Sequence, residues 1–155
     1  MTPRLDIRPA DSSSSPGREL ITAMLAELDA LYGKLDGPRP TATPDELSPP
    51  RGGFFIAWRD DHPVACGGFK DLGEPGLAEI KRIYVIPRYR SRGYAGEVLA
   101  FVEDRALAAG YERVRLQHGA DQPHAQALYL AAGYAPIPDY NGNPYAAHWA
   151  EKRLR

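Results

Sequence analysis

A basic turn between an apolar strand and a helix is the segment of this sequence best suited to bind an anion. The turn spans residues 88–95 and contains arginines and a glycine. The apolar residues within 80–86 predict a buried strand, which Pro87 ends because proline has no N–H to give to a neighbouring strand. Apolar residues at helical spacing over 95–109 predict a helix, and Gly110 suits its left-handed C-terminal cap. The free N–H groups and the positive dipole end of such a helix form an anion-binding site. The alternative is a basic surface turn.

Two blocks of the sequence resemble the GCN5-related N-acetyltransferases, which bind acetyl-CoA. The first block, Arg90-x-x-Gly93-x-Ala95, is similar to that family's pyrophosphate-binding signature, Gln/Arg-x-x-Gly-x-Gly/Ala. The second block, ALYLAAGY over residues 127–134, is similar to the helix A-x-x-L-Y-x-x-x-G-F/Y that follows the family's fifth strand. The six-residue signature is weak evidence by itself, and the second block gives it weight. The resemblance covers about residues 67–154.

The resemblance implies that acetyl-CoA is the acyl-donor co-substrate. Its phosphates would be bound by the backbone N–H groups of Gly93, Tyr94 and Ala95 and by the side chains of Arg90 and Arg92. For each arginine individually, a place in a solvated surface turn remains the alternative.

The resemblance also assigns the pantetheine arm a place between the fourth and fifth strands, paired with backbone of the fourth. Tyr84 and Val85 occupy the matching positions, and one of their N–H groups would stabilise the negative charge that develops on the carbonyl oxygen. His124, near the start of the last helix, would face the adenosine or the pantetheine, or else be a solvated histidine at a helix start.

Acetyl transfer to an amine needs a base, because only about one lysine-like amine in a few thousand is deprotonated at pH 7. Glu79 opens the central strand at a position where many relatives hold a glutamate. Strand alternation predicts that Lys81 shares its sheet face and that Arg82 faces the other way. The alternative for Glu79 is a strand-end carboxylate paired with one of these cations. His118 and Asp121 are further candidates, and Asp121 also suits the cap of the following helix.

The leaving thiolate needs a proton donor, and Tyr129 aligns with the tyrosine that relatives place near the CoA sulfur. A phenol stays protonated at neutral pH and is therefore a competent donor. Tyr129 also shares a helical stripe with Leu128 and Ala132, so that a core aromatic residue is the alternative. Direct transfer in a ternary complex needs no enzyme nucleophile, and Cys66 is predicted to be a small buried apolar residue.

The composition describes a globular protein rather than a disordered one. The chain has 155 residues, of which 43% are hydrophobic and 25% charged, and its net charge is −1. This balance gives no reason to expect a nucleic-acid partner. A single cysteine excludes an internal disulfide, and no spacing of histidines indicates a metal site. Because no apolar run reaches membrane-spanning length and the N-terminus lacks a signal-peptide pattern, we expect a cytoplasmic protein with no membrane partner.

The predicted elements are, in order, strand, helix, short helical piece, three strands, helix, strand, helix and two strands. Antiparallel pairing early and strand–helix–strand later predict an α/β (α+β) fold: a mixed, mostly antiparallel sheet of about six to seven strands with helices on both faces. This matches the acetyltransferase fold, whose central strand pair splays apart. Residues 1–155 are predicted to be a single domain, with a cofactor-binding unit at 79–110 and the second block at 112–134.

Two loops, residues 33–53 and 138–145, are expected to border the acceptor. They carry carboxylates and aromatic rings, a mixture that suits a small cationic amine but is also common in exposed loops. The residues concerned are Tyr32, Asp36, Asp45, Glu46, Asp139, Tyr140 and Tyr145.

The sequence therefore predicts an N-acetyltransferase that acts on a primary amine of a small molecule or of an exposed protein side chain. A non-catalytic acyl-CoA-binding module is the alternative from another class. The resemblance also raises the expectation of a homodimer, since relatives often form one, and leaves the identity of the acceptor open.

Overall fold

The computed structural model describes residues 5–33, 42–120 and 122–154, which form seven strands and three α-helices. The strands are β1 (Asp6–Pro9), β2 (Gly53–Arg59), β3 (His62–Asp71), β4 (Leu77–Val85), β5 (Arg113–His118), β6 (Ala135–Ile137) and β7 (His148–Arg153). The helices are α1 (Gly17–Tyr32), α2 (Tyr94–Ala108) and α3 (Pro123–Ala131), with a 3-10 turn at Pro87–Tyr89. The predicted order of strands and longer helices is confirmed, whereas the predicted short helical piece between α1 and β2 is a turn at residues 44–47.

The strands form a seven-stranded sheet in the order β1-β2-β3-β4-β5-β7-β6. Neighbouring strands are antiparallel except for β4 and β5, which are parallel. The predicted mixed and mostly antiparallel sheet is therefore confirmed. Parallel strands need a long crossover connection, and the connection between β4 and β5 contains α2.

Helices cover both faces of the sheet because adjacent strand residues point to opposite sides. Val98 and Val102 of α2 pack with Phe55 and other buried residues on one face. Leu20 of α1 packs with Phe54 and other residues on the opposite face. The two apolar clusters explain why the segments with helical spacing are held against the sheet rather than left in solvent.

The parallel strands β4 and β5 pair only at their beginning. Paired residues run from Leu77 with Arg113 to Glu79 with Arg115, and the register between these two strands stops there. Past Glu79 the strands diverge, which leaves the edge of β4 that faces β5 without a strand partner. The predicted splayed central pair is present, and the opening between the strands positions the site.

A bulge interrupts β4 within this opening. Cys66 of β3 lies opposite Tyr84, whereas Gly68 lies opposite Lys81, so the register shifts across this stretch. Arg82 takes a φ of 64°, in the left-handed region that residues with a side chain rarely adopt. The extra residue of β4 lies opposite Gly67 of β3.

A capping box organises the described end of the loop at 33–53. The backbone N–H of Thr43 donates to Glu46 Oε1 at 3.0 Å, and the N–H of Glu46 donates to Thr43 Oγ1 at 3.2 Å. Glu46 Oε2 also accepts a hydrogen bond from Lys70 Nζ at 2.8 Å. These bonds form a capping box that ties the turn to β3, while Asp36, predicted to border the acceptor, lies outside the described residues.

Candidate active site

Two cavities meet at Tyr129 in the opening between β4 and β5. The larger, about 610 Å³, lies between the end of β4, the start of α2 and helix α3. The smaller, about 160 Å³, lies between α1, the middle of β4 and the end of β5. Ile83, Gln122 and Tyr129 line both. Two ligands could therefore meet at Tyr129, one in each cavity.

The start of α2 gives the larger cavity its anion-binding character. Gly93 precedes the helix with a φ of 82° and provides no side-chain cap, so the first N–H groups of the helix are left for a ligand. A Cβ built on Gly93 would meet nothing within 4 Å, which shows that the backbone is open to approach. Tyr94 and Ala95, whose N–H groups are predicted to bind phosphate, line the same cavity.

The two arginines predicted to bind phosphate have different positions. Arg90 lines the larger cavity, but its Nε donates to the Val85 carbonyl at 2.9 Å and its Nη2 donates to Glu27 Oε2 at 2.8 Å. This guanidinium therefore links α1 to the end of β4. Arg92 is exposed and lies against Tyr89, its Cζ 5.6 Å from the ring centroid, and it is not a lining residue.

The remaining residues predicted to contact the cofactor also border the larger cavity. Tyr84 and Val85 line it from β4, and His124 lines it from the start of α3. The volume falls within the range of small-molecule sites. A cradle of free helix N–H groups next to an unpaired strand edge fits a long ligand with an anionic end, as acetyl-CoA is. The residues present therefore fit this co-substrate.

Tyr129 stands where a proton donor would serve both cavities. Its ring lies 5.6 Å from that of His118 and 5.8 Å from that of Tyr134, measured between centroids. Burial raises the pKa of Tyr129 to about 12. The phenol is therefore protonated at neutral pH, and it lies at the junction of the two cavities, which a residue packed only into the core would not do.

Glu79 lies in a buried network and does not line either cavity. It is 3% exposed; its Oε1 lies 3.3 Å from Lys81 Nζ, and its Oε2 accepts a hydrogen bond from the Tyr140 hydroxyl at 2.6 Å. Burial, and then the nearby Glu79 carboxylate, raise the pKa of Tyr140 above its ordinary value. The pairing of Glu79 with Lys81 that strand alternation predicts is observed.

His118 lies at the end of β5 and lines the smaller cavity. It is 9% exposed, and its Nδ1 lies 3.2 Å from the Gly119 carbonyl oxygen. Burial lowers the pKa of His118, with a smaller contribution from His148, whose ring stacks at 4.8 Å between centroids. The imidazole is thus neutral at pH 7 and able to accept a proton. Asp121, the third candidate base, lies outside the described residues.

Sequence reasoning missed two residues of this region. His148 is placed by the pairing of β5 with β7, where it lies directly opposite His118, and no local pattern could reveal that pairing. Arg82 lines the smaller cavity together with Lys81. The bulge adds a residue between Lys81 and Tyr84, so the predicted alternation does not continue past Arg82, and residues 80–83 all border the cavity.

The predicted acceptor loops contribute rings rather than carboxylates to the smaller cavity. Tyr32 and Tyr145 line it and meet edge to face at 6.4 Å between centroids. Asp45, Glu46 and Asp139 do not line it, and among its described lining residues there is no carboxylate. The predicted attraction for a cationic acceptor therefore finds no support in the described part of this cavity.

Other chemistries find little support in the described residues. No group of three or more His, Cys, Asp or Glu within them could hold a metal ion. Cys66 is fully buried, and burial raises the pKa of its thiol to about 12, which disfavours a nucleophilic thiolate. None of the helices described is long and apolar enough to cross a membrane.

Comparison with known proteins agrees with this geometry. A family model described as "Acetyltransferase (GNAT) family" matches residues 18–134. An IAA acetyltransferase from Azospirillum brasilense is 31% identical over 135 residues, which cover 84% of this chain and 88% of the relative. An acetyltransferase of the GNAT family from Staphylococcus aureus shares the fold, with a TM-score of 0.77, 17% identity, and coverage of 98% of this chain and 100% of that structure.

The fold is also similar to that of a GNAT family acetyltransferase from Elizabethkingia anophelis with acetyl-CoA bound. The TM-score is 0.62 at 15% identity, and the match covers 98% of this chain and 99% of that structure. The class defined by the fold and the site is thus that of acyl-CoA-dependent N-acetyltransferases. The chain belongs to the acetyltransferase (GNAT) family. The predictions of the family, of an enzyme rather than a binding module, and of acetyl-CoA as acyl donor are confirmed at the level of the family.

Proposed function

We propose that the chain transfers an acetyl group from acetyl-CoA to the primary amine of a small molecule held in the smaller cavity, by direct attack in a ternary complex. The observation that supports this proposal is the meeting of the two cavities at Tyr129. A cavity of about 160 Å³ suits a small amine, because a similar volume holds a molecule of the size of benzene.

In the larger cavity, the N–H groups that follow Gly93 would hold the phosphates, and the free edge of β4 at Tyr84 and Val85 would hold the pantetheine. Acetyl-CoA supplies an acetyl thioester. Arg90 is already engaged by Glu27, so we assign it to the positioning of α1 beside the cavity as well as to the attraction of phosphate.

Two protons leave the acceptor nitrogen during the reaction, and each needs a residue that takes it up. An acceptor that enters as an ammonium ion loses one proton to a base, and its nitrogen then bonds to the acetyl carbon as the carbon–sulfur bond breaks. Tyr129 donates its proton to the departing thiolate and is reprotonated by the second proton that leaves the nitrogen. One proton is released to solvent in total, and no enzyme nucleophile is required.

We propose His118 as the base ahead of Glu79. His118 lines the acceptor cavity with a lowered pKa, whereas Glu79 is screened from both cavities by its contacts with Lys81 and Tyr140. The alternative is a water molecule that connects Glu79 to the acceptor, and Glu79→Gln tests it.

Thermal unfolding and CoA release test the proposal together. Acetyl-CoA at 100 times its Kd should stabilise the protein by about 2.7 kcal/mol, and each kcal/mol should raise Tm by roughly 2–4 °C, while ATP and NAD serve as controls. Gly93→Glu should abolish the shift, because it brings a carboxylate and a side chain to a left-handed position in the phosphate cradle.

Tyr129→Phe should keep the acetyl-CoA shift but lower turnover by about 10²–10⁴-fold, the usual contribution of a positioned acid. CoA release with a panel of small amines measures that turnover. Full turnover of Tyr129→Phe, under conditions in which chemistry limits the rate, would remove the proton-donor role. Absence of any acetyl-CoA shift in the folded wild type would refute the proposal itself.

A further inference from the structure

We propose that the acceptor amine also carries a carboxylate, and that Arg82 binds this carboxylate in the smaller cavity. The inference rests on the proposed function, since it names the class of molecule that enters the acceptor site. It makes the acceptor amino-acid-like, in contrast to the cationic amine that the loop composition favoured.

Arg82 borders the cavity, and no acceptor among the described residues pairs with its Nε. The bulge in β4 gives Arg82 its φ of 64°, and its carbonyl is engaged by the Cys66 thiol at 3.3 Å. Its Nε is buried and has no hydrogen-bond partner. Among the described residues no carboxylate lies within ion-pair distance of this guanidinium. Because a buried donor on a charged group is costly to leave unpaired, the arrangement favours an anionic ligand.

Among the described residues, the other charges around the cavity leave this positive charge uncompensated. Lys81 is already paired with Glu79, at 3.3 Å, and His118 is neutral at pH 7. The described lining residues include no carboxylate. One net positive charge matches a single carboxylate better than a phosphate monoester, which carries close to two negative charges at neutral pH. The planar fork of the guanidinium also fits a carboxylate with two parallel hydrogen bonds.

The size of the cavity limits how far the carboxylate can lie from the reacting nitrogen. Ile83, the residue after Arg82, lines both cavities, as does Tyr129. In a space of about 160 Å³, a group bound at Arg82 and an amine directed at Tyr129 must belong to one compact molecule. A small amino acid meets this requirement, whereas a lysine of a folded protein brings no carboxylate close to its amine.

Matched pairs of amines test the inference. CoA release would be measured with L-leucine against 3-methylbutylamine, L-phenylalanine against phenethylamine, and L-methionine against its amide. For at least one pair we expect the carboxylate to raise kcat/KM by about tenfold to a hundredfold, the usual range for a hydrogen bond to a charged group. O-phosphoethanolamine, added to the panel, distinguishes a phosphate preference from a carboxylate preference.

Variants at Arg82 then test whether this residue causes the preference for an acceptor with a carboxylate. Arg82→Met should reduce the carboxylate advantage to less than about threefold while retaining the acetyl-CoA thermal shift, and Arg82→Lys should restore part of the advantage. Arg153→Met is the matched control, because Arg153 is exposed on β7 and lines neither cavity. It should leave the ratio unchanged.

The outcomes separate the inference from the proposed function. Acetylation of the amines without preference for the carboxylate, a stronger preference for phosphate, or an unchanged preference in Arg82→Met would overturn the inference and leave the proposed function intact. Acetyl-CoA binding with transfer to no small amine would overturn both. If Arg82→Met did not fold, the wild-type ratios and Arg82→Lys would still decide the matter.

Discussion

At the scale of single residues, the site separates groups that hold protons from groups that accept them. Burial acts on Tyr129 and His118 in opposite directions on the pKa scale, because it disfavours the charged form of each. The phenol keeps its proton and the imidazole stays neutral, so that one can donate and the other accept near the same junction. The two rings are 5.6 Å apart between centroids.

The pH profile of kcat/KM should identify the base. Because the acceptor enters as an ammonium ion and passes its proton to the imidazole, kcat/KM should be independent of pH near neutrality. Burial lowers the pKa of His118 below its ordinary 6.5, so kcat/KM should fall, with a slope of one per pH unit, only below that pH, as the imidazole becomes protonated. His118→Gln should remove the bend and lower the rate by at least about tenfold, whereas Glu79→Gln should keep the bend. A bend that disappears in Glu79→Gln and survives in His118→Gln would assign the base to Glu79.

Sequence reasoning reached the cofactor side of the site more fully than the acceptor side. The turn before α2 could be predicted because its signals are local: a proline ends the strand, a glycine precedes the helix, and the arginines lie between them. The surroundings of His118 could not, because His148 reaches it only through the pairing of β5 with β7. The environment of Glu79 likewise depends on Tyr140, which is distant in the chain.

At the scale of elements, the bulge in β4 determines which side chains face the acceptor. Residues 80–83 of β4 all border the smaller cavity, and the extra residue falls within or next to this stretch, before Tyr84. No local signal in the sequence of β4 shows which residue is displaced. The shape of the acceptor cavity therefore depends on a feature that a period-two pattern cannot represent.

A substitution at Gly67 tests how closely β3 and the bulged part of β4 are packed. A Cβ at this position would lie 2.5 Å from Cδ1 of Ile83 and 2.9 Å from Cγ1 of Val98. Gly67→Val should therefore destabilise the fold by about 1–3 kcal/mol, as overpacking does, and should lower acceptor kcat/KM because Ile83 borders both cavities. Urea unfolding and CoA release measure the two effects.

Gly73→Ala is the control, because Gly73 lies at an exposed turn with nothing within 4 Å of the added atom. The positive φ of Gly73 should make this substitution lower the stability while leaving the activity unchanged. Wild-type stability and activity in Gly67→Val would show that the strand accommodates a side chain there.

At the scale of the whole molecule, the splayed sheet needs ties that hold its two halves together around the opening. Strands β4 and β5 pair at only a few positions, so the part of the sheet formed by β5, β7 and β6 relies on contacts beyond that pairing. One such contact is a buried network centred on Glu103 of α2. Its carboxylate accepts hydrogen bonds from the Tyr134 hydroxyl at 2.7 Å and from Lys152 Nζ at 2.8 Å. The network thus joins α2, whose first residues line the larger cavity, to strand β7.

Removal of this carboxylate should destabilise the protein without touching its chemistry. Glu103→Ala leaves the Tyr134 hydroxyl and the Lys152 ammonium without their shared acceptor, and we expect a loss of about 1–3 kcal/mol in urea unfolding. Tyr134→Phe should cost less, since the ion pair with Lys152 remains, and Asp104→Ala, an exposed neighbour on α2, should cost little. The acetyl-CoA thermal shift should be the same in all three variants, because Glu103 lines neither cavity. If Glu103→Ala were as stable as the wild type, the short parallel pairing of β4 and β5 would be enough to hold the two parts of the sheet together. If Glu103→Ala lost the acetyl-CoA shift, the network would also position the start of α2.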